Sequence, residues 1–367
     1  MRARFRLPKS VEELAEWYMR YVSPLSLIAG FIADNLFLAK RVDILLTNVL
    51  LFSYLVIAAL GILLINLIQT GRLRHPLYLK ALPLLPVVAQ FAFGGLFSAY
   101  LSLYWRSAAV SVSWIFVVAL VVLILGNERF AHFYARFSVQ ISLYFTVLFS
   151  FLIFFLPVIF HQIGPWMFLL SGVVALAVIS AFLRGLFKLM PEMRERRTKA
   201  LRAIAAIYVV FNILYFTGAI PPLPLALKYA GVYHGVERTQ SGSYALSGEP
   251  IPWYNVFARY NTVFHAVSGD TAYVYTSIFA PSGLSTVILH EWQRYDETAG
   301  KWVTVAKIGF PIYGGRDGGY RGYSLKSNIA PGEWRVDVVT QYGQLIGRVA
   351  FTVESAPETP ALIDVTR

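Results

Sequence analysis

Runs of about 20 apolar residues constrain this chain more than any other feature of its sequence. All of them lie between residues 23 and 227 of a chain of 367 residues. A helix satisfies its own backbone hydrogen bonds, and about 20 helical residues cross roughly 30 Å of hydrocarbon. Residues 23–227 therefore predict an all-α membrane bundle of about seven transmembrane helices, with these bounds: Pro24–Leu38, Val42–Ile68, Ala81–Tyr104, Ala108–Gly126, Phe137–Phe160, Trp166–Met190 and Ala200–Ile220.

The segment before the first apolar run, residues 1–22, has a helical pattern of its own. Ser10 and Glu13 have the spacing of a capping box. Apolar and aromatic side chains follow at helical spacing, at Leu14, Trp17, Tyr18 and Tyr21. We interpret residues 1–22 as a cytoplasmic amphipathic segment that lies at the membrane interface. The alternative is a simple N-terminal extension of the first span.

Basic residues are distributed unevenly among the segments that join the predicted spans. The N-terminal segment and every second connection after it hold 17 Lys and Arg residues, whereas the alternate connections hold 3, at Lys40, Arg41 and Arg106. Cytoplasmic segments of membrane proteins carry such an excess. The pattern predicts a multi-pass protein of a bacterial cytoplasmic membrane, surrounded by lipids, with its N-terminus in the cytoplasm and its C-terminal domain in the periplasm or outside the cell.

The net charge of +12 does not indicate a nucleic-acid partner. Residues 1–227 hold 20 Lys and Arg against 8 Asp and Glu, whereas residues 228–367 hold 12 of each. The excess therefore reflects orientation during insertion. The chain has no cysteine, which excludes disulfides and thiolate sites. Its histidines lack the spacing of a metal site, and we predict neither a metal nor a cofactor.

Beyond residue 227 the pattern changes to short segments rich in Val, Ile, Thr and aromatic residues, separated by turns. Such alternation is typical of strands and hairpins. The predicted strands are Tyr260–Ala266, Thr271–Phe279, Thr286–Tyr295, Trp302–Phe310, Gly332–Thr340 and Leu345–Val353, with hairpin loops at Glu297–Gly300 and Gln341–Gln344. We predict an all-β, immunoglobulin-like sandwich domain over residues 228–353 and an extended tail over residues 354–367.

Several short motifs in this domain resemble those of a known family. They are His290-Glu291-Trp292, Tyr323-Ser324-Leu325-Lys326, Gly332-Glu333-Trp334-Arg335-Val336 and the ending Gly347–Val353. The run Pro281–Val353 that contains them is similar to a bacterial domain of unknown function, number 2914. The resemblance implies a β-sandwich that is often attached to a membrane segment, and it implies no activity.

Two groups of residues are candidate sites. The Gly-rich stretch from Gly314 to Tyr323 carries Arg316, Tyr320, Arg321 and Tyr323, which could form a binding loop for a glycan, a lipid headgroup or a protein. The alternative is a flexible connection.

The second group is a polar site in the membrane region, at Asp34, Arg106 and His161, all near the outer face in the predicted topology. An ionisable side chain in lipid is expensive, so Asp34 is a candidate for function. The alternative for Asp34 is a position at the interface, solvated or paired with Lys40 or Arg41. No residue pattern indicates a catalytic site, so we do not predict an enzyme.

Three hypotheses for function follow from these observations. In the first, the spans anchor a periplasmic β-sandwich that binds a protein, a glycan or another envelope component. In the second, the chain is a membrane enzyme that acts on a lipid-linked substrate at the outer face. In the third, it is a transporter, which the scarcity of charge within the spans disfavours.

Overall fold

A computed structural model describes residues 44–107, 118–123, 136–253, 255 and 258–367. The chain divides into a helical unit and a β-rich unit, and the β-rich unit includes residues 160–164 together with residues 221–367. Each unit has its own buried apolar side chains.

Five helices of the helical unit are long and apolar enough to cross a membrane. The helices are α1 (Leu45–Gln69), α2 (Pro76–Ala81), α3 (Leu85–Ser107), α4 (Phe137–Phe160), α5 (Pro165–Leu189) and α6 (Arg197–Phe216), with a 3₁₀ turn at Pro191–Arg196 before α6. The short helix α2 is not one of the five. The described residues therefore hold five candidate spans and not the seven predicted. The predicted span Pro24–Leu38 and residues 1–22 lie outside them, and of Ala108–Gly126 only residues 118–123 are described, as helix.

Side chains of α1, α3 and α5 form hydrogen bonds to helix α4. Bonds run from Asn66 Nδ2 in α1 to Gln140 Oε1 (2.7 Å) and from the Tyr100 hydroxyl in α3 to the Val147 carbonyl (2.9 Å). The Ser171 hydroxyl in α5 shares its one hydrogen between the Leu152 carbonyl of α4 (3.0 Å) and the Met167 carbonyl of its own helix (2.8 Å). The ring of Phe149 also stacks on Phe211 of α6, with centroids 4.9 Å apart. Hydrogen bonds between helices, such as the one between Asn66 and Gln140, help to hold helices together.

Several other polar side chains of these helices bond to their own backbone one turn earlier. Ser142 donates to the Ser138 carbonyl (2.8 Å), Thr146 to the Ser142 carbonyl (2.9 Å) and Asn212 to the Tyr208 carbonyl (2.8 Å). A hydroxyl or amide satisfied in this way needs no partner on another helix.

The β-rich unit contains eleven strands among its described residues, and they form three sheets. The strands are β1 (Ala226–Tyr233), β2 (Gly235–Arg238), β3 (Tyr244–Gly248), β4 (Val263–Ala266), β5 (Thr271–Phe279), β6 (Ser285–Asp296), β7 (Lys301–Tyr313), β8 (Tyr320–Ser327), β9 (Gly332–Thr340), β10 (Leu345–Ser355) and β11 (Ile363–Thr366). The central sheet has the order β1-β5-β8, the large sheet β4-β10-β9-β6-β7 and the small sheet β11-β3-β2. Strands β4 and β10 are parallel, and the other pairs are antiparallel.

Strand β5 is buried on both faces because the central sheet packs against the two others. Its side chains alternate, as the twofold period of a strand requires. Ala272 and Val274 contribute to a core shared with the large sheet, in which Trp292 and Trp334 are also buried. Tyr275, on the opposite face, packs with residues of β1, β2 and β3.

The prediction of a β-rich C-terminal domain is confirmed, and the prediction of individual strands is partly so. Strands β5 and β9 have the predicted bounds, and both predicted hairpins form, between β6 and β7 and between β9 and β10. The sequence analysis missed β1, β2, β3, β8 and β11. Strand β11 lies in the segment predicted as an extended tail, where it pairs with β3.

Candidate functional site

The strand register of the central sheet gathers tyrosines and an arginine on one face. Tyr323 lies opposite Tyr275, and Leu325 lies opposite Tyr273. We call this surface the tyrosine–arginine face and define it by Tyr244, Tyr273, Tyr275, Arg321, Tyr323 and Leu325. Tyr244 belongs to β3 of the small sheet, and its ring centroid lies 5.5 Å from that of Tyr275 and 6.2 Å from that of Tyr323.

The tyrosine–arginine face changes from buried to exposed along its width. Tyr275 is buried beneath the small sheet, whereas Tyr323 and Leu325 on the edge strand β8 are each 41% exposed. Burial raises the pKa of Tyr275 to about 12, although Arg321 and Arg367 act in the opposite direction. The phenol therefore stays neutral at physiological pH. The face thus combines aromatic rings, the aliphatic side chain of Leu325 and the guanidinium of Arg321.

These groups suit a ligand with both apolar faces and anionic substituents. An aromatic ring offers a broad contact surface at low cost in conformational entropy, since it has two side-chain torsions. A guanidinium donates paired hydrogen bonds to a carboxylate or a phosphate. Arg321 Nη1 lies 3.5 Å from the Gly242 carbonyl oxygen, which joins it to the turn between β2 and β3.

The glycine-rich loop between β7 and β8, residues 314–319, is fixed by contacts with β5 and with the segment before β6. A Cβ at Gly314 would lie 1.7 Å from the Pro281 carbonyl oxygen, so no other residue fits there. Gly319 has a φ of +87°, a conformation that favours glycine. The Ser277 hydroxyl donates a hydrogen bond to the Gly318 carbonyl.

The structure divides the four residues predicted as one binding loop into two pairs. The Arg316 guanidinium lies 5.4 Å from the centroid of the Tyr320 ring. Tyr320 packs against the core between the central and large sheets. Arg321 and Tyr323 alternate with it along β8 and belong to the tyrosine–arginine face. The four residues therefore do not share one face of the sheet, because neighbouring side chains of a strand point to opposite faces, and their role in binding stays a prediction.

A buried polar chain joins the central sheet to the large sheet. His290 is fully buried; its Nδ1 lies 2.8 Å from the Ser324 hydroxyl oxygen and its Nε2 lies 3.0 Å from the Thr276 hydroxyl oxygen. Trp292 Nε1 also donates to Ser324, at 2.9 Å. Since an indole only donates, all groups are satisfied if Ser324 donates to Nδ1, and Nε2 donates to Thr276.

The hydrogen bonds around His290 join the two sheets, and the buried ring is not accessible to a substrate. Thr276 can donate onward to the Gly322 carbonyl, at 3.4 Å, so every hydrogen has an acceptor. Burial lowers the pKa of His290 to about 4, so the ring is neutral at physiological pH. Glu291, its neighbour in sequence, lies on the opposite face of β6 and pairs with Lys307 at 2.6 Å.

A second polar cluster is centred on Glu249, just after β3. Its carboxylate lies 3.0 Å from His234 Nε2 and 2.7 Å from His265 Nδ1, and it accepts the His265 backbone N–H at 2.7 Å. Burial alone would raise the pKa of Glu249, but these hydrogen bonds outweigh it and lower the pKa. Within the part of the chain that the structure describes, no group of three His, Asp or Glu side chains has the geometry of a metal site. The sequence analysis missed Glu249 because its partners are distant along the chain.

Of the predicted polar site in the membrane region, the structure describes His161 in full. Asp34 and the side chain of Arg106 lie outside the described part of the chain. His161 is exposed, has a φ of 53° and lies against Gly283 within the β-rich unit.

These features define a class of protein in which apolar helices precede a β-rich domain that carries an aromatic and cationic face. Residues 285–353 match the family described as "Protein of unknown function (DUF2914)", which confirms the resemblance seen in the sequence. The matched residues run from β6 almost to the end of β10 and include His290, Trp292 and Ser324.

Other comparisons add little to this match. No curated protein matches the chain. Among solved structures, it is similar to the Pseudomonas fluorescens alkylpurine DNA glycosylase AlkC bound to DNA containing an abasic site analog, at 14% identity and a TM-score of 0.23 over 77% of this chain and 83% of that one. A likeness this weak carries no argument about fold or function.

Proposed function

We propose that this chain is a multi-pass protein of a bacterial cytoplasmic membrane that holds its β-rich unit outside the cytoplasm. Its helices are the spans, and the central and large sheets are the two layers of an immunoglobulin-like sandwich, to which the small sheet is added. The tyrosine–arginine face of this domain binds a glycan of the cell envelope that carries carboxylate or phosphate groups.

Helix length and the distribution of charge support the membrane part of this proposal. Five helices are long and apolar enough to span a bilayer. The connection between α4 and α5, which the charge pattern assigns to the outside, belongs to the same unit as residues 221–367. The basic connection before α6 is the kind of segment that stays in the cytoplasm.

The absence of native cysteine allows a direct test of this topology. Thr298→Cys places a thiol on the exposed hairpin between β6 and β7, and Thr198→Cys places one in the basic connection. We expect a membrane-impermeant maleimide to label Thr298→Cys in cells with a permeable outer envelope and an intact cytoplasmic membrane. Thr198→Cys should be labelled only after the membrane is disrupted. The opposite labelling would reject the proposed orientation, and equal labelling of both would reject the membrane span between them.

The tyrosine–arginine face is the observation that carries the binding part of the proposal. On the edge strand β8 it exposes Tyr323 and Leu325, with the half-buried Arg321 on the same face and the rings of Tyr244 and Tyr273 beside Tyr323. A patch of few polar groups among aromatic side chains is typical of small-molecule and glycan sites.

Binding can be measured with the full chain in nanodiscs against soluble fragments of envelope glycan, with and without anionic groups. We expect Arg321→Gln to weaken binding of the anionic fragments about tenfold, since it removes a charged hydrogen bond of roughly 1.5–3 kcal/mol. Arg316→Gln makes the same change of charge on the loop and should bind as the wild type does. Loss of binding in Arg316→Gln alone would move the site to the loop, and no binding by the wild type would reject the glycan.

A protein partner is the second candidate, and strand β7 favours it. This strand has 13 residues and stands at the end of the large sheet, with Val303 and Val305 about 40% exposed. An open strand edge pairs readily with an extended segment of another protein. Replacement of Val305 by Pro would block such pairing, since proline donates no hydrogen bond. A partner that crosslinks to the wild type and equally to Val305→Pro would reject strand addition.

The membrane enzyme and the transporter stay as weaker proposals. Alanine substitutions at Asp34, Arg106 and His161 test the enzyme, because these residues form the polar site predicted near the outer face. Unchanged growth and envelope composition in the triple variant would reject the hypothesis of a membrane enzyme.

A further inference from the structure

We propose that the helical unit holds the phosphate-bearing headgroup of an anionic membrane lipid in a basic pocket at the end of α5. The inference rests on the proposed membrane insertion of the helices and is independent of what the β-rich unit binds. The pocket has a volume of about 580 Å³, within the roughly 300–1,000 Å³ of small-molecule sites.

Two helices and the turn between them build this pocket. On α5, Leu183, Arg184, Phe187 and Lys188 repeat at the spacing of one helical face. Arg197 lies at the start of α6, and Arg194 belongs to the 3₁₀ turn. The turn is anchored by Met193, which is 4% exposed. The basic side chains are thus brought to one place by structure as well as by their closeness in sequence.

The charges of the pocket are not neutralised within the described part of the chain. Four cationic side chains line it, and no carboxylate does. Glu192 in the same turn pairs with Arg72, at 3.1 Å. No described carboxylate forms an ion pair with Arg184, Lys188, Arg194 or Arg197.

The apolar part of the lining favours a lipid over a free anion. Leu183 and Phe187, which are buried, line it together with Leu201, which is 42% exposed. Guanidinium groups bind phosphate with paired hydrogen bonds, and basic pockets between spans at the cytoplasmic surface suit anionic headgroups. A phosphate with attached hydrocarbon uses both kinds of side chain, whereas inorganic phosphate uses one.

A simpler explanation is that these residues only orient the chain during insertion, and a matched pair of variants separates the two. Arg184→Gln with Arg197→Gln removes two charges from the pocket. Lys199→Gln with Arg202→Gln removes two charges from the same connection, from residues that do not line the pocket. Both variants keep an equal excess of basic residues for orientation.

The experiment uses the full chain in nanodiscs of phosphatidylcholine with a small fraction of phosphatidylglycerol or cardiolipin. Native mass spectrometry after release counts the lipids that stay bound. We expect the wild type and Lys199→Gln/Arg202→Gln to retain anionic lipid alike, and Arg184→Gln/Arg197→Gln to retain at least about tenfold less. Millimolar inorganic phosphate should displace little of it.

Three results would overturn the proposal. Equal loss in the two variants would show general attraction to the basic connection. Equal retention of phosphatidylcholine would show that charge plays no part, and full displacement by inorganic phosphate would identify a site for the free anion. A chain that extracts without detergent would instead reject the proposed membrane insertion, which distinguishes the two failures.

Discussion

The helical unit and the β-rich unit differ in where their polar side chains find hydrogen-bond partners. In the helices several of these side chains bond to their own backbone four residues earlier, as the half-buried Ser142 and Asn212 do. In the β-rich unit they bond to strands far along the chain, as His290 does to Thr276 and Ser324. Local bonds form as soon as a helix forms, whereas distant bonds require the finished fold. Replacement of a polar side chain by an apolar one should therefore cost little stability in the helices and much stability between the sheets.

The largest loss of stability should come from a substitution in the core between the central and the large sheet. Trp292 is fully buried and donates to Ser324, so Trp292→Ala removes a large side chain and breaks the polar chain. We expect a loss of about 3–5 kcal/mol from the free energy of opening of β6 and β9. Hydrogen exchange of the full chain measures this value. Trp253→Ala, at a tryptophan 89% exposed, is the matched control and should change it by less than about 0.5 kcal/mol.

The pH dependence of stability tests whether His290 is buried as a neutral ring. Its pKa falls from 6.5 to about 4 because of burial, so the unfolded chain binds the proton more tightly than the folded chain does. Stability is therefore complete above about pH 6.5 and decreases as the pH falls towards 4, by about 3 kcal/mol. In His290→Gln, which can still bond to Ser324 and Thr276, this part of the acid sensitivity should disappear. An unchanged pH profile would contradict the assigned burial.

The cluster at Glu249 should give a smaller loss. Glu249→Gln keeps the shape of the side chain but removes the charge that attracts the two histidines, and we expect about 1–3 kcal/mol of destabilisation above pH 5. Because its pKa is lowered in the folded chain, the contribution of Glu249 is lost as the pH falls through that value, so wild type and variant should converge in acid. Hydrogen exchange of β3 and β4 at two pH values measures this convergence.

The smallest losses of stability are expected in the helices. They give the most direct test of the difference between local and distant hydrogen bonds. Gln140→Leu removes the bond from Asn66, which joins α1 to α4, and should cost about 0.5–1.5 kcal/mol. Ser142→Ala removes a bond within α4 and should cost almost nothing. Unfolding in mixed micelles of increasing sodium dodecyl sulfate content gives both values. A larger loss in Ser142→Ala would break the distinction between local and distant bonds.

The same difference explains what the sequence could predict. Helix α4 and strands β5 and β9 were found with their bounds, because a run or an alternation of apolar residues is a local signal. Strands β1 and β3 were missed, since glycine interrupts their apolar residues and each pairs with a strand far along the chain, β1 with β5 and β3 with β11.

The same distinction applies to the residues of the candidate site. Arg321 and Tyr323 were found because they stand in a distinctive glycine-rich stretch. Tyr244 and Tyr273 were not, because only the pairing of strands brings them together with Tyr323. Arg184 and Arg197 were counted in the sequence as orientation signals, and only the helical turn between them reveals a pocket.

The position of α4 along the chain has a consequence for how the molecule is made. Its acceptors serve Asn66 and Tyr100, which leave the ribosome before it, and Ser171, which leaves after it. The hydrogen bonds of Asn66 and Tyr100 to α4 can therefore form only after Phe137–Phe160 has been synthesised, although α1 and α3 already contact each other through the rings of Tyr54 and Phe91. A ribosome stalled shortly before that point should leave the two early helices held by this contact alone, and one stalled shortly after it should leave them held by α4 as well.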